Sequence, residues 1–445
     1  MPRPVASGKG GGGGCAGSAL RCAIVGQDVD ERKPVRPADP VTAPTASAVP
    51  PAVLAARTGV AVVFALNGLA VATWFSRVPA VREALDLSAG RLGLLLMAMS
   101  AGAVLALSTA GLVTQRLGPA RTVVAATVLV ALGLTVTGLA TGLAGWLPGV
   151  AVGLVALGYG CGACDVAMNV EGAAVEKRLG RTILPRFHAA WSLGTVAGAG
   201  LGAGAARVGL PIWAHLGVLA AVVLGGTLIG ARAFLPAPPA SADTDGGAAR
   251  RGGLWAAWRE PRTLLLGALV LVMAFTEGTA TDWIAVAFID GYGVSEATGA
   301  AVFGIFVAGM TLGRTAGTVL IDRWGRVPVL FGTILLAALG AGLAVLAGSQ
   351  PVATVGVALW GIGASLGFPV GMSAAADDED HAAVRVSVVA VIGYTAFLAG
   401  PPLLGLLGDR VGTLPALLVV PLLLIPTLAL VPVTRPPADR PMDRT

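Results

Sequence analysis

From residue 54 onward the chain alternates long apolar runs with short polar connectors. Twelve runs can be marked, at about 54–76, 90–114, 120–142, 148–170, 188–209, 211–235, 262–286, 297–321, 327–348, 351–375, 385–407 and 412–433. A helix rises 1.5 Å per residue, so runs of this length match a hydrocarbon core of about 30 Å. Backbone crossing lipid must be helical or a closed barrel. Barrel strands alternate apolar and polar residues, whereas these runs are continuously apolar. The pattern therefore predicts an all-α polytopic membrane protein with twelve transmembrane helices in two six-helix bundles. The polar stretch PAPPASADTDGGAARRGG between the sixth and seventh runs reads as the linker between halves. The expected organisation is a disordered tail over 1–52, one bundle over 53–235, a cytoplasmic linker over 236–261, a second bundle over 262–434 and a tail over 435–445.

Composition supports this reading. The chain is 55% hydrophobic and 12% charged, about half the charged share of soluble domains. Its net charge of +6 does not point to nucleic acid, because the basic residues sit in connectors between apolar runs. They also crowd onto one side. Alternate connectors hold Arg116 and Arg121, then Lys177, Arg178, Arg181 and Arg186, then Arg232, Arg250, Arg251, Arg259 and Arg262, then Arg323 and Arg326, then Arg385. The opposite connectors hold Arg77, Arg82, Arg91, Arg207 and Arg410. This bias predicts a plasma-membrane protein with both termini in the cytoplasm. The first 52 residues are too rich in Gly, Pro and charge to bury a core. Of the four cysteines, Cys15 and Cys22 lie in that tail, and Cys161 and Cys164 lie within the fourth run, where small-residue packing is the expected role.

The two halves repeat. At an offset of 207 residues, Ser88 matches Ser295, Gly102 matches Gly309, Gln115 matches Asp322, Arg116 matches Arg323 and Gly118 matches Gly325. Upstream, Asn67-Gly68 before Trp74 resembles Glu277-Gly278 before Trp283. Parallel halves of this kind suit a transporter whose site lies between them near the membrane midplane.

The turns GLVTQRLGPAR and TVLIDRWGR resemble the Gly-x-x-x-Asp-Arg-x-Gly-Arg-type turn of the major facilitator superfamily. In the first copy Gln115 stands at the family's Asp position. The second keeps Asp322, Arg323, Gly325 and Arg326, with Thr318 at the Gly position. In such turns a carboxylate and an arginine form charge-assisted bonds that latch one conformation. The resemblance implies a gating latch at Gln115, Arg116, Asp322, Arg323 and Arg326, weaker in the first copy. The stretches DVAMNVEGAAVEKRLGRTILPRFHAAWSLG and EGTATDW are similar to the superfamily branch that includes the bacterial inner-membrane protein YbjJ. Membership implies a twelve-helix fold and secondary transport by alternating access.

Several residues are candidates for the working site. Glu277 falls near mid-membrane in the seventh run. An isolated carboxylate there costs about 2.5–3.5 kcal/mol on insertion scales, and burial disfavours its charged form. It is the candidate proton-coupling residue, with a structural hydrogen bond as the alternative. Asp282 lies about 140° round the helix from Glu277 and could pair with Arg77 or Arg82 as an outer gate. Asp165, Asn169 and Glu176 share a face; they either line the pathway or form an inner gate with the basic connector, Asp165 being placed about five residues from the inner end. Asn67, Trp74 and Trp283 are further cavity candidates. His188 opens the fifth run, either as part of the gating machinery or as a solvated anchor. No second histidine lies nearby, so no metal site is expected. The prolines of GPPLLG, residues 400–405, are expected to kink or break the eleventh run.

The functional expectation is a secondary transporter of a small polar organic solute, coupled to protons. The alternatives are an exporter of drugs or metabolites by proton antiport, and a non-transporting sensor. No catalytic motif appears in the helices. No cofactor is expected. The expected partners are a small-molecule substrate, protons and the lipid bilayer, without nucleic acid, around a monomer.

Overall fold

The computed structural model describes residues 50–180, 183–236, 256–377 and 381–435. The expected N-terminal tail up to residue 49, most of the linker and the C-terminal tail beyond residue 435 lie outside them. The described residues are helical throughout, with no strand. The helices are α1 (Pro51–Phe75), α2 (Val78–Ala84), α3 (Ala89–Leu117), α4 (Pro119–Leu139), α5 (Leu147–Leu179), α6 (Leu184–Arg207), α7 (Ile212–Ala231), α8 (Pro261–Tyr292), α9 (Glu296–Trp324), α10 (Arg326–Leu346), α11 (Gln350–Ala364), α12 (Gly367–Ala375), α13 (Ala382–Val411), α14 (Thr413–Ala416) and α15 (Val419–Thr427). A π turn follows α4 and a 3-10 turn follows α15.

Taking α1 with the short α2, α11 with α12 and α14 with α15 as one crossing each, the helices of the described residues make twelve crossings. Eleven are long and apolar enough to cross a membrane by length and composition. The exception, α6, has five glycines among its 24 residues, which dilute its hydropathy. Large apolar side chains such as Leu112, Val152, Ile229, Leu339 and Leu422 stand exposed. A soluble monomer rarely tolerates so much exposed apolar surface; lipid accounts for it.

The repeat extends through the local geometry. α3 and α9 have 29 residues each. Their N-caps, Ser88 and Ser295, each accept from a backbone N–H three residues on. Both end at a glycine with φ 81°, Gly118 and Gly325. That left-handed value favours glycine and turns the chain at once into α4 or α10, each of 21 residues. One helix later the offset falls to 203: Gly158 packs on the Met99 carbonyl in the first half, and Gly361 on the Phe306 carbonyl in the second. A side chain at either glycine would strike that carbonyl, so these helices meet at backbone distance.

In the first half α5 packs on α3 and α4, and α1 packs on α6 and α7. In the second half α11 packs on α9 and α10, and α8 packs on α13. The halves meet chiefly through two helix pairs, α3 with α13 and α6 with α9, and also where α2 touches α8. α13 runs helically through Pro401 and Pro402 without a break.

Candidate functional site

A cavity of about 50 Å³ lies between the halves, lined from α1, α6, α8 and α9. Its centre is an ion pair. Arg314 Nη2 donates to Glu277 Oε1 at 3.1 Å. Glu277 is the 17th of the 32 residues of α8 and Arg314 the 19th of the 29 residues of α9, so both are near mid-helix. The side chains are 21% and 33% exposed, consistent with a wet cavity. Glu277 thus has a cationic partner one helix away, a bond to a neighbouring helix of the kind its alternative reading named. The sequence did carry a signal, since an arginine amid the apolar residues of α9 demands an explanation.

On the other side of the cavity, Trp191 of α6 donates from Nε1 to Asn67 Oδ1 at 3.2 Å. Asn67 in turn donates from Nδ2 to the Cys161 carbonyl of α5 at 3.3 Å. One amide therefore ties three helices. The geometry depends on glycine: a Cβ at Gly194 would run into the Ala65 carbonyl, and one at Gly68 into the Trp191 carbonyl. Backbone contact between α1 and α6 brings the indole to the amide. Phe75 and Phe303 approach across the halves at 6.2 Å between ring centres and cover the cavity at the end nearer α2.

That end is closed. Arg77 Nε lies 3.4 Å from Glu296 Oε1, and Arg82 pairs with Asp290. Asp409 of α13 accepts from the Gly90 N–H at 2.9 Å and from Ser88 Oγ at 3.2 Å. Every one of these contacts joins the two halves. Among the described residues, the ion pairs at the opposite end stay within the second half: Asp377 with Arg262 and Arg326, and Glu260 with Arg385. Asp165, midway along α5 in the first half, is exposed.

The other candidates scatter. Asp165 accepts from Asn169 Nδ2 at 3.3 Å. Because α5 continues to Leu179, Asp165 is the 19th of its 33 residues. Glu176 accepts from the N–H groups of Ile183 and Leu184 and caps α6. Tyr394 of α13 lies within electrostatic reach of both Asp165 and Glu277. Asp282 is partly buried and meets neither Arg77 nor Arg82, which take Glu296 and Asp290 instead. Trp74 and Trp283 are fully buried in the core and do not line the cavity; a large ring gains more from close packing than from facing water. His188 is exposed and stacks edge-on against Phe64, 5.2 Å away.

Of the turn residues, Gln115, Arg116, Asp322 and Arg323 are exposed. Arg326 is ion-paired, with Nη1 2.6 Å from Asp377 Oδ1. Asp377 and Glu171 escaped the sequence reading. Glu171 is buried and accepts from the Leu235 N–H at 2.6 Å, fixing the end of the first half. Glu171 lies within the motif that begins at Asp165, but only the partner of each shows what it does.

The model of the Major Facilitator Superfamily matches residues 60–378 and 283–444. An uncharacterised transporter of Sinorhizobium fredii is 33% identical over 356 residues, covering 79% of this chain and 90% of the relative. An uncharacterised MFS-type transporter of Yersinia pestis is 31% identical, covering 78% and 87%. The chain belongs to the major facilitator superfamily. Among solved structures, the nucleoside transporter NupG superposes with a TM-score of 0.67 at 13% identity, over 85% of this chain and 99% of that one. A D-xylose-proton symporter gives 0.64 at 14% identity, over 84% and 97%. At such identities the likeness is one of fold. The protein is a multi-pass membrane transporter.

Proposed function

We propose that this transporter moves a small polar organic solute by alternating access, with proton coupling at Glu277. The observation carrying the reading is the Glu277–Arg314 pair, facing a cavity between two repeated halves. Protonation of Glu277 would release Arg314 and remove the charge attraction across α8 and α9. A proton could then change the site's shape as well as its charge. The positive-inside bias puts the closed end outside and both termini in the cytoplasm, so the cavity belongs to an inward-facing state. In that state Asp165 and Asn169 line the route to the cytoplasm. The turns at Gln115–Arg116 and Asp322–Arg323 would form their latch only when the inner end closes. The proposed bundles are residues 53–235 and 262–434, in a monomer, and the motif around Asp165 supports a position beside YbjJ.

In proteoliposomes, Glu277→Gln should abolish solute accumulation driven by a proton gradient while leaving solute exchange intact. Undiminished pH-driven accumulation would sink the coupling assignment. The direction of flux under an imposed gradient separates symport from the exporter reading, in which solute leaves as protons enter.

A further inference from the structure

The hydroxyls of the cavity narrow the class of solute. Three threonines line it: Thr195 on α6, Thr281 on α8 and Thr311 on α9. Each has already committed its proton to its own helix. Thr195 Oγ1 donates to the Ser192 carbonyl at 2.7 Å, Thr281 Oγ1 to the Glu277 carbonyl at 2.9 Å, and Thr311 Oγ1 to the Val307 carbonyl at 2.9 Å. A hydroxyl with its proton spent still has an oxygen lone pair to offer. Glu277 adds a second carboxylate oxygen beyond the one held by Arg314. Ser192 of α6 lines the cavity too, and its hydroxyl can donate or accept; the rest of the wall consists mainly of acceptors, contributed by both halves. Arg314 is the main donor, with one of its five N–H groups used on Glu277.

A ligand for such a wall must bring several donors. A carboxylate or phosphate brings only acceptors and would face the threonine oxygens and Glu277 unpaired. Buried polar groups left unpaired weaken binding more than made bonds strengthen it. An organic cation brings donors, but the guanidinium already neutralises Glu277, so it would meet a like charge. A hydroxyl group fits both conditions: it donates to a threonine oxygen or Glu277 and can accept from Arg314. The remaining wall is apolar, from Phe75, Phe303 and Phe306, and suits the C–H face of a compact carbon skeleton. About 400 Å³ of space free of protein atoms, open on one side, adjoins these groups, in the range of a small-molecule pocket, so several hydroxyls on one small skeleton can reach them.

We propose that the solute is a compact, neutral, polyhydroxylated molecule, a polyol or monosaccharide, bound through the acceptors Thr195, Thr281, Thr311 and Glu277. This rests on the reading of the cavity as the transport site. The test is binding to the purified full-length protein, measured by thermal stabilisation and calorimetry. The probes are glycerol, xylitol, sorbitol, D-xylose and D-glucose, with 2-deoxy-D-glucose, putrescine, lactate and glycine for comparison. A polyol or sugar should bind best, and 2-deoxy-D-glucose should bind more weakly than D-glucose. Thr281→Val and Thr311→Val keep the side-chain shape and remove the acceptor; each should weaken binding about five- to tenfold without changing the melting temperature of the ligand-free protein. Three outcomes overturn the proposal: no polyol or sugar binds, putrescine or lactate binds better, or both valine variants bind as the parent does. Failure of the transport reading looks different: a polyol binds with the expected Thr281 dependence, yet Glu277→Gln leaves pH-driven flux unchanged. Conversely, pH-driven flux of a solute without hydroxyls keeps the transport reading and removes this one.

Discussion

Asp409 offers a direct test of what holds the transporter closed at one end. Its carboxylate belongs to α13 but sits on the N-terminus of α3, in the other half, bonded to the Gly90 N–H and Ser88 Oγ. An anion at a helix N-terminus contributes about 0.3–1 kcal/mol when exposed and up to about 2 when partly buried. Asp409→Asn keeps the shape and one acceptor oxygen but removes the charge, so the closed state should lose about 1 kcal/mol. Since about 1.4 kcal/mol corresponds to tenfold, the ratio of open to closed at this end should rise about fivefold. A steric route should act in the same direction. A Cβ at Gly93 would strike the Pro401 carbonyl of α13, and overpacking costs about 1–3 kcal/mol. The assay is a distance distribution between spin labels on Ala84→Cys and Val411→Cys, both exposed at this end of opposite halves. The background carries Cys15→Ser and Cys22→Ser; Cys161 and Cys164 are buried. Both Asp409→Asn and Gly93→Ala should add a longer-distance component. If neither changes the distribution, these contacts do not set the conformational equilibrium.

Three further outcomes follow from the helix contacts. Arg314→Gln leaves the Glu277 carboxylate without its cation and should destabilise the protein by about 3 kcal/mol, while the double variant with Glu277→Gln should recover much of that loss; melting curves of the three variants check this, and additive effects would contradict the pairing. Gly158→Ala should lower stability by about 1–3 kcal/mol through contact with the Met99 carbonyl. Gly111→Ala, where nothing lies within 4 Å, should be neutral or stabilising by up to about 1 kcal/mol, as thermal denaturation in detergent would show.

Much of the fold was legible because lipid imposes a simple rule on the chain. A span must be apolar and about 20 residues long, so the twelve runs matched twelve crossings. The ends were less legible. α5 runs to Leu179, nine residues past the apolar run, because a helix can continue beyond lipid on polar residues. Asp165 therefore sits mid-helix although it lies five residues before the apolar run ends. The repeat was legible at single-residue level, because Ser88 and Ser295 cap equivalent helices and Gly118 and Gly325 turn equivalent corners.

The candidate site was only half legible. Glu277 announced itself, since a carboxylate in an apolar run has few bland explanations. Trp74 and Trp283 misled, because an aromatic at helical spacing gives no sign of whether it faces a cavity or the core. The expected pairing of Asp282 with Arg77 or Arg82 failed for another reason. Several acids lie near the same end, and sequence distance does not rank them.

The sequence by itself determined the class of solvent, the number and order of the helices, the internal repeat and the family, because each follows from local hydropathy or from motifs contiguous in the chain. Only the tertiary structure decided that Arg314 neutralises Glu277, that Trp191 reaches Asn67, and that Asp409 caps a helix more than 300 residues earlier. Those pairs are made by helix rotation and by glycine-limited approach between helices, and neither quantity is written in any single segment.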